Sequence, residues 1–433
     1  MSASPSPPVD TEITVHAWRH PSVLAAAAFS IYAGFAQFTA TAALPDIAEA
    51  FDIGVPGSDA SIVEQAGLGL GTLGIALGII RLASVAALPV ARQADRLGRR
   101  RVLLVATALT LGLTAAGAIS PSFWPLIIIL AVARPLASAV NAVAGVIAAE
   151  EVATRDRSKA LAVITAGYGI GAGAPVLLRG LTDGAIGYRA ILLVAIPLLA
   201  TIPLVARLVD EPARAKLVIS EIDPDSPAAK RLGRVPRPLV GRLALLCGLG
   251  FVLAFLTGPV NTYLFLYGEA VVGLSPAMQT IILPIGGVLG GVGLLFGIWL
   301  ADEIGRIPTA MWTKFALAGA GVLTYSAGAW GAAGGYVATL FIGSSYAPAV
   351  AATAAEIFPT SIRGTAAGWV TLTSTIGAVA GLITFGLVAE ATGSFSTAAW
   401  VVSVPTAVSV IGYRYLPETM GLELEESAPE VVS

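Results

Sequence analysis

Twelve apolar runs of about 20 residues each set the frame for this chain, near residues 22–44, 62–91, 102–120, 124–149, 160–180, 187–208, 240–267, 276–301, 309–330, 333–357, 365–389 and 395–416. Wound as an α-helix, a run of that length matches the ~30 Å hydrocarbon core of a bilayer. Between the runs charge is scarce. Asp, Glu, Lys and Arg make up 12% of the 433 residues, about half the share in an ordinary soluble domain. So little charge cannot cover a water-exposed surface, and the composition predicts an all-α polytopic membrane protein with twelve transmembrane helices. The first run is too long for a signal-peptide core, so it is expected to stay as a helix.

The basic residues orient the spans. With the amino terminus in the cytoplasm, the inner segments hold Arg19, then Arg92, Arg96, Arg99, Arg100 and Arg101, then Arg155, Arg157 and Lys159. The segment after the sixth run adds Arg207, Arg214, Lys216, Lys230, Arg231, Arg234, Arg237 and Arg242, and the later loops add Arg306, Lys314, Arg363 and Arg414. That is 21 of the 25 Lys and Arg residues, against Arg179 and Arg189 outside. Positive charge collects on the cytoplasmic side of membrane proteins, so both termini are expected there, in the cytoplasmic membrane. Two arginines remain, Arg81 and Arg134, both within apolar runs.

The expected organisation is a cytoplasmic tail (1–21), a six-helix bundle (22–208), a polar linker (209–238), a second six-helix bundle (239–416) and a carboxy-terminal tail (417–433). The halves repeat at an offset of 206 or 207 residues. Ala94-Asp95-Arg96-Leu97-Gly98-Arg99 returns as Ala301-Asp302-Glu303-Ile304-Gly305-Arg306, while Glu150, Thr154 and Arg157 return as Glu356, Thr360 and Arg363. With six spans per half, both halves start on the same side. Such a parallel repeat places a substrate site at the midplane seam between bundles.

The segment Ala91 to Arg101, with Asp95-Arg96-Leu97-Gly98-Arg99-Arg100 at its centre, resembles the G-x-L-x-D-R-x-G-R-R signature of the major facilitator superfamily, with Ala91 in place of the leading glycine. Glu356-Ile357-Phe358-Pro359-Thr360-Ser361-Ile362-Arg363-Gly364 and Pro417-Glu418-Thr419-Met420-Gly421 are similar to E-x-F-P-T-x-x-R-G and P-E-T-x-G elements of sugar porters and related metabolite carriers. Arg134 matches an arginine in the superfamily's R-x-x-x-G pattern, with Ser138 where glycine is usual. The resemblance implies two bundles working by alternating access. It also implies a gate at the basic loops, assigned to Asp95, Arg96, Gly98, Arg99 and Glu150 in the first half and Asp302, Arg306, Glu356 and Arg363 in the second.

An arginine at mid-span costs about 2.5–3.5 kcal/mol on insertion scales, so it normally faces the bundle interior and has a function. Ser138 and Asn141 continue from Arg134 along one stripe of helix four. No acidic residue is expected at mid-span. Two cations without counter-charges favour an anionic or carboxylate-bearing substrate; the competing reading makes either arginine a structural brace. Asn141 and Asn261 are the only asparagines. With Gln37, Thr41, Tyr168, Tyr263, Tyr346, Trp369 and Thr373 they are the candidate lining of a solute cavity.

Gly69-Leu70-Gly71-Thr72-Leu73-Gly74 spells a dinucleotide-loop pattern, but inside a spanning helix it reads as close packing. His16 and His20 precede the first span and Cys247 is alone, so neither a metal site nor another cofactor is expected. No nucleophile or metal motif points to an enzyme. The expected function is secondary transport of a small organic solute, favoured as an organic anion, with drug efflux as the alternative. The expected partners are that solute and the bilayer, with no nucleic acid, and the expected state is monomeric. The resemblance implies a proton as coupling ion, for which only acids near span ends, Asp46, Glu64 and Glu269, are on hand.

Overall fold

The structure, a computed structural model, describes residues 20–53, 69–152, 157–209 and 236–421, without the side chains of Asp95, Arg96, Arg157, Ser158, Thr360 and Ser361. Most of the expected tails and linker, and Glu64 and Thr154, lie outside these residues.

Twelve long helical stretches follow one another: α1 (Pro21–Ala42), α2 (Leu70–Ala94), α3 (Arg99–Gly117), α4 (Phe123–Glu150), α5 (Arg157–Leu181), α6 (Tyr188–Ala206), α7 (Arg237–Ala270), α8 (Pro276–Glu303), α9 (Arg306–Ser326), α10 (Gly328–Glu356), α11 (Thr360–Thr392) and α12 (Phe395–Tyr415). Eleven are long and apolar enough to cross a membrane; α9, which carries Arg306 and Lys314, is the less apolar twelfth. A bilayer core offers no water to backbone N–H and C=O groups, so helices that bond their own backbone are what such runs form. Ser275 and Ser394 cap α8 and α12 by accepting from the N–H groups of Met278 and Thr397.

Alternate ends of the helices collect on two sides. The basic-loop end holds the α2–α3, α4–α5, α8–α9 and α10–α11 connections; the far end holds the α3–α4, α5–α6, α7–α8, α9–α10 and α11–α12 connections. The internal repeat is visible in the backbone at the basic-loop end. Gly98 joins α2 to α3 at φ 94° and Gly305 joins α8 to α9 at φ 99°, a region open to glycine and strained for residues with a Cβ. Arg99 then pairs with Glu150 on α4, and Arg306 pairs with Glu356 on α10 at 3.3 Å. The same turn and ion pair thus occur once per half.

The cores are arranged unequally. At the basic-loop end each half has its own: one runs from Val23 through Val102 and Ala144 to Ile202, the other from Leu243 through Ala310 and Phe358 to Tyr413. At the far end a single core joins both halves, with Leu73 and Leu77 of α2 in the same cluster as Tyr263 of α7 and Phe385 of α11. There α2 lies along α11 and α5 along α8. A Cβ added to Gly74 would stand 2.7 Å from the Leu382 carbonyl, so these two backbones touch only because the residue is glycine. The Thr280 hydroxyl of α8 donates to the Val176 carbonyl of α5 at 2.9 Å. The bundles therefore share a hydrophobic core at one end and keep separate ones at the other.

Candidate functional site

A cavity of about 680 Å³ lies at the seam, on the basic-loop side of the shared core. From the amino-terminal half, α1 gives Gln37, Phe38 and Thr41, α2 gives Arg81, α4 gives Arg134, and α5 gives a wall from Gly169 to Leu177. The carboxy-terminal half contributes Thr257, Asn261 and Thr262 of α7, Pro284 and Gly287 of α8, Tyr336 and Leu340 of α10 and Leu382 of α11. No carboxylate is among the described residues that line it.

The two arginines differ. Arg134 donates from Nη1 to the Gln37 carbonyl at 2.9 Å, and its Nε is sealed from solvent without a partner. Gln37 is held in turn by Tyr168, whose hydroxyl donates to Oε1 at 3.1 Å. Tyr168 packs edge-on against Phe38, with ring centroids 6.1 Å apart. Arg134, Gln37 and Tyr168 therefore form one braced unit across α1, α4 and α5. Arg81 is exposed to the cavity, and its guanidinium makes no hydrogen bond or ion pair among the described residues. A guanidinium with all five N–H donors free is built to take an anion by a fork of two hydrogen bonds. From the other half, Asn261 also lines the cavity, and its Oδ1 is buried with no hydrogen-bond partner among the described residues.

Of the residues singled out in the sequence, Arg81, Arg134, Gln37, Thr41 and Asn261 line the cavity, and Tyr168 supports it through Gln37. The others lie elsewhere. Asn141 accepts from the Ser30 hydroxyl at 2.9 Å and ties α4 to α1. Tyr263 is fully buried in the far-end core, stacked on Phe385 at 5.0 Å. Tyr346 shares a short hydrogen bond with Tyr413 inside the carboxy-terminal half. Trp369 is half exposed, and Thr373 bonds the Trp369 carbonyl of its own helix. Among the gate residues, Arg306 also approaches Asp302 at 3.4 Å, Arg363 reaches the Phe358 carbonyl at 3.4 Å, and Asp95 and Arg96 lie in the helical segment Ala87–Leu97 that completes α2.

Two basic residues are placed differently from the sequence count. Lys314, counted there with the loops, is fully buried within α9, where it donates to the Leu249 carbonyl at 2.9 Å and stands 5.4 Å from the centre of the Tyr413 ring. Arg179, counted as an outer-loop charge, is 4% exposed and ion-paired at 2.6 Å with both Asp46 and Glu269. The sequence carries a signal for this pairing, because Asp46, Arg179 and Glu269 each lie near a far-side span end, where an acid and a base can meet. Between this cluster and the cavity, Ala42, Val176, Phe265 and Leu283 form a small apolar plug.

Two six-helix halves around a cavity sealed at one end have the architecture of a secondary transporter. The sequence profile of the Major Facilitator Superfamily matches residues 23–345. The chain belongs to that superfamily. Among solved structures, the xylose transporter XylE from E. coli in an inward-open conformation superposes at TM-score 0.69 with 16% identity, over 94% of this chain and 98% of that one. The nucleoside transporter NupG gives TM-score 0.71 with 12% identity over 93% and 100%. A bacterial homologue of the human lysosomal transporter Spinster, inward-facing and unoccupied, gives 0.65 with 13% identity over 93% and 96%. At these identities the likeness is one of fold. No curated protein matches the chain significantly by sequence.

Proposed function

We propose that this transporter carries an organic anion or carboxylate-bearing metabolite by alternating access between its two halves. The observation that supports this is the charge of the cavity wall: two arginines, one of them unpaired, and no carboxylate among its described residues. An unpaired cation in a low-dielectric site is costly, and a substrate carboxylate on Arg81 would relieve that cost. Arg134 serves as the braced second cation, while Thr41, Thr257 and Asn261 offer hydrogen bonds to the rest of the solute. The placement of most Lys and Arg at the basic-loop end supports a cytoplasmic location for that end and for both termini. With no acid among the described residues of the cavity wall, proton coupling would fall to Asp46 or Glu269 at the far end.

Drug efflux has one observation in its favour, the apolar share of the wall, with Phe38, Ile170, Leu283 and Leu340. Reconstitution into liposomes under an imposed pH gradient separates the two readings, using a panel of mono- and dicarboxylates, neutral sugars, nucleosides and cationic dyes. Anion uptake is expected, reduced about tenfold to a hundredfold by Arg81→Gln at subsaturating substrate, the loss of a charge-assisted hydrogen bond or two. Transport of cationic dyes that is insensitive to Arg81→Gln and Arg134→Ala would overturn the anion reading.

A further inference from the structure

The far end is held shut by more than apolar contact. Arg179 of α5 donates from Nε and Nη2 to Asp46, which follows α1 in the same half, and from Nη1 and Nη2 to Glu269 of α7 in the other half, at 2.6–3.1 Å. Asp46 thus orients the guanidinium within its own half, and Glu269 alone carries the bond across the seam. A second crossing lies at the start of α2. The Gly71 N–H donates to Glu390 of α11 at 2.6 Å, and any Cβ on Gly69 would stand 2.3 Å from that carboxylate. The first turn of α2 has no side-chain cap of its own, so its free N–H groups and positive dipole end are met by an acid from the opposite bundle.

At both carboxylate crossings the amino-terminal half supplies the donor and the carboxy-terminal half the acid, whereas the Thr280–Val176 bond between the halves is a neutral one. We infer that Glu269 and Glu390 form a two-point latch on the far end, with Asp46 a positioning residue for Arg179, and that the far end opens when both carboxylates release. The latch lies beyond the apolar plug and does not depend on which solute the cavity takes. Rocking that separates the far end breaks both crossings and leaves Arg179 neutralised by Asp46, so the open amino-terminal half strands no unpaired cation there.

Distances between spin labels test this without substrate, so the outcome is independent of the anion reading. In full-length protein with Cys247→Ser, one label pair at Ile119 and Trp330, which are 79% and 89% exposed, spans the far end. A second pair at Leu97 and Ile304 spans the basic-loop end. Glu269→Gln and Glu390→Gln are each expected to raise the ratio of long to short far-end distances on the order of tenfold, with shortening at the basic-loop end, because each removes the carboxylate charge that its crossing rests on in the closed state. The double variant should exceed either, and Glu303→Gln, an exposed acid at the other end, should change neither pair. If Glu269→Gln does not fold, Arg179→Lys, which keeps the charge but cannot fork across two carboxylates, makes the same test. A far-end distribution unchanged in these variants, or shifted equally by Glu303→Gln, would overturn the latch.

Discussion

In the amino-terminal half, the interior cations Arg81 and Arg134 face the seam; in the carboxy-terminal half, the interior cation Lys314 turns into its own bundle, against Leu249 and Tyr413. Both halves keep the same glycine turn and the same Arg–Glu pair at the basic-loop end. The two halves match at the turns of the basic-loop end and differ in where they place their interior cations. Under the proposed anion reading, charge recognition belongs to one half, and neutral hydrogen bonding from Thr257, Thr262 and Asn261 belongs to the other.

The largest effect that would break this comparison is at Lys314. Lys314→Ala leaves a void among Leu249, Tyr413 and their neighbours and is expected to lower stability by about 2–5 kcal/mol, read as a lower unfolding temperature in detergent. Lys314→Met fills the same volume and should stay within about 1.5 kcal/mol, with transport intact. A stable Lys314→Met protein without transport would show that the second half also uses its cation, and the contrast between the halves would fail.

A smaller effect is expected at the paired turns. Gly98→Ala and Gly305→Ala each force an L residue into a strained conformation, for about 1–3 kcal/mol. At Gly305 the new Cβ would also stand 2.7 Å from Glu418, which caps the first turn of α9 by accepting from the N–H groups of Arg306 and Ile307. Thermal unfolding of the two variants side by side should show the greater loss for Gly305→Ala, and that excess measures the cap. Smallest are the ion pairs. Glu150→Gln and Glu356→Gln remove partly exposed partners worth on the order of 1 kcal/mol, and Glu356→Gln should cost more because Glu356 also accepts from the Thr419 hydroxyl. Equal losses would mean that the Thr419 contact adds nothing.

Number, order and approximate bounds of the helices were legible because the bilayer demands long apolar runs, and the repeat was legible because glycine turns and ion pairs leave short exact matches. Arg81 and Arg134 stood out for the same reason, as scarce charge within such runs. Which residues share the cavity was harder to read. A helix that is apolar all round carries no stripe to orient it, so Tyr263 and Tyr346 looked as eligible for the cavity as Tyr168, and their true places are the shared core and a tyrosine pair. Arg179 was hidden because a charge near a span end reads as topology when its partners are 133 and 90 residues away.

The burial of Lys314 bears on how the chain is made. α9 is the one long helix that falls short of the apolar content of a span, and its lysine finds one partner on α7, earlier in the chain, and another on α12, later in it. The charge of α9 is therefore covered from both sides only where α7, α9 and α12 are packed together. Assembly of the second half is thus expected to depend on α12, which supplies the aromatic face over this charge.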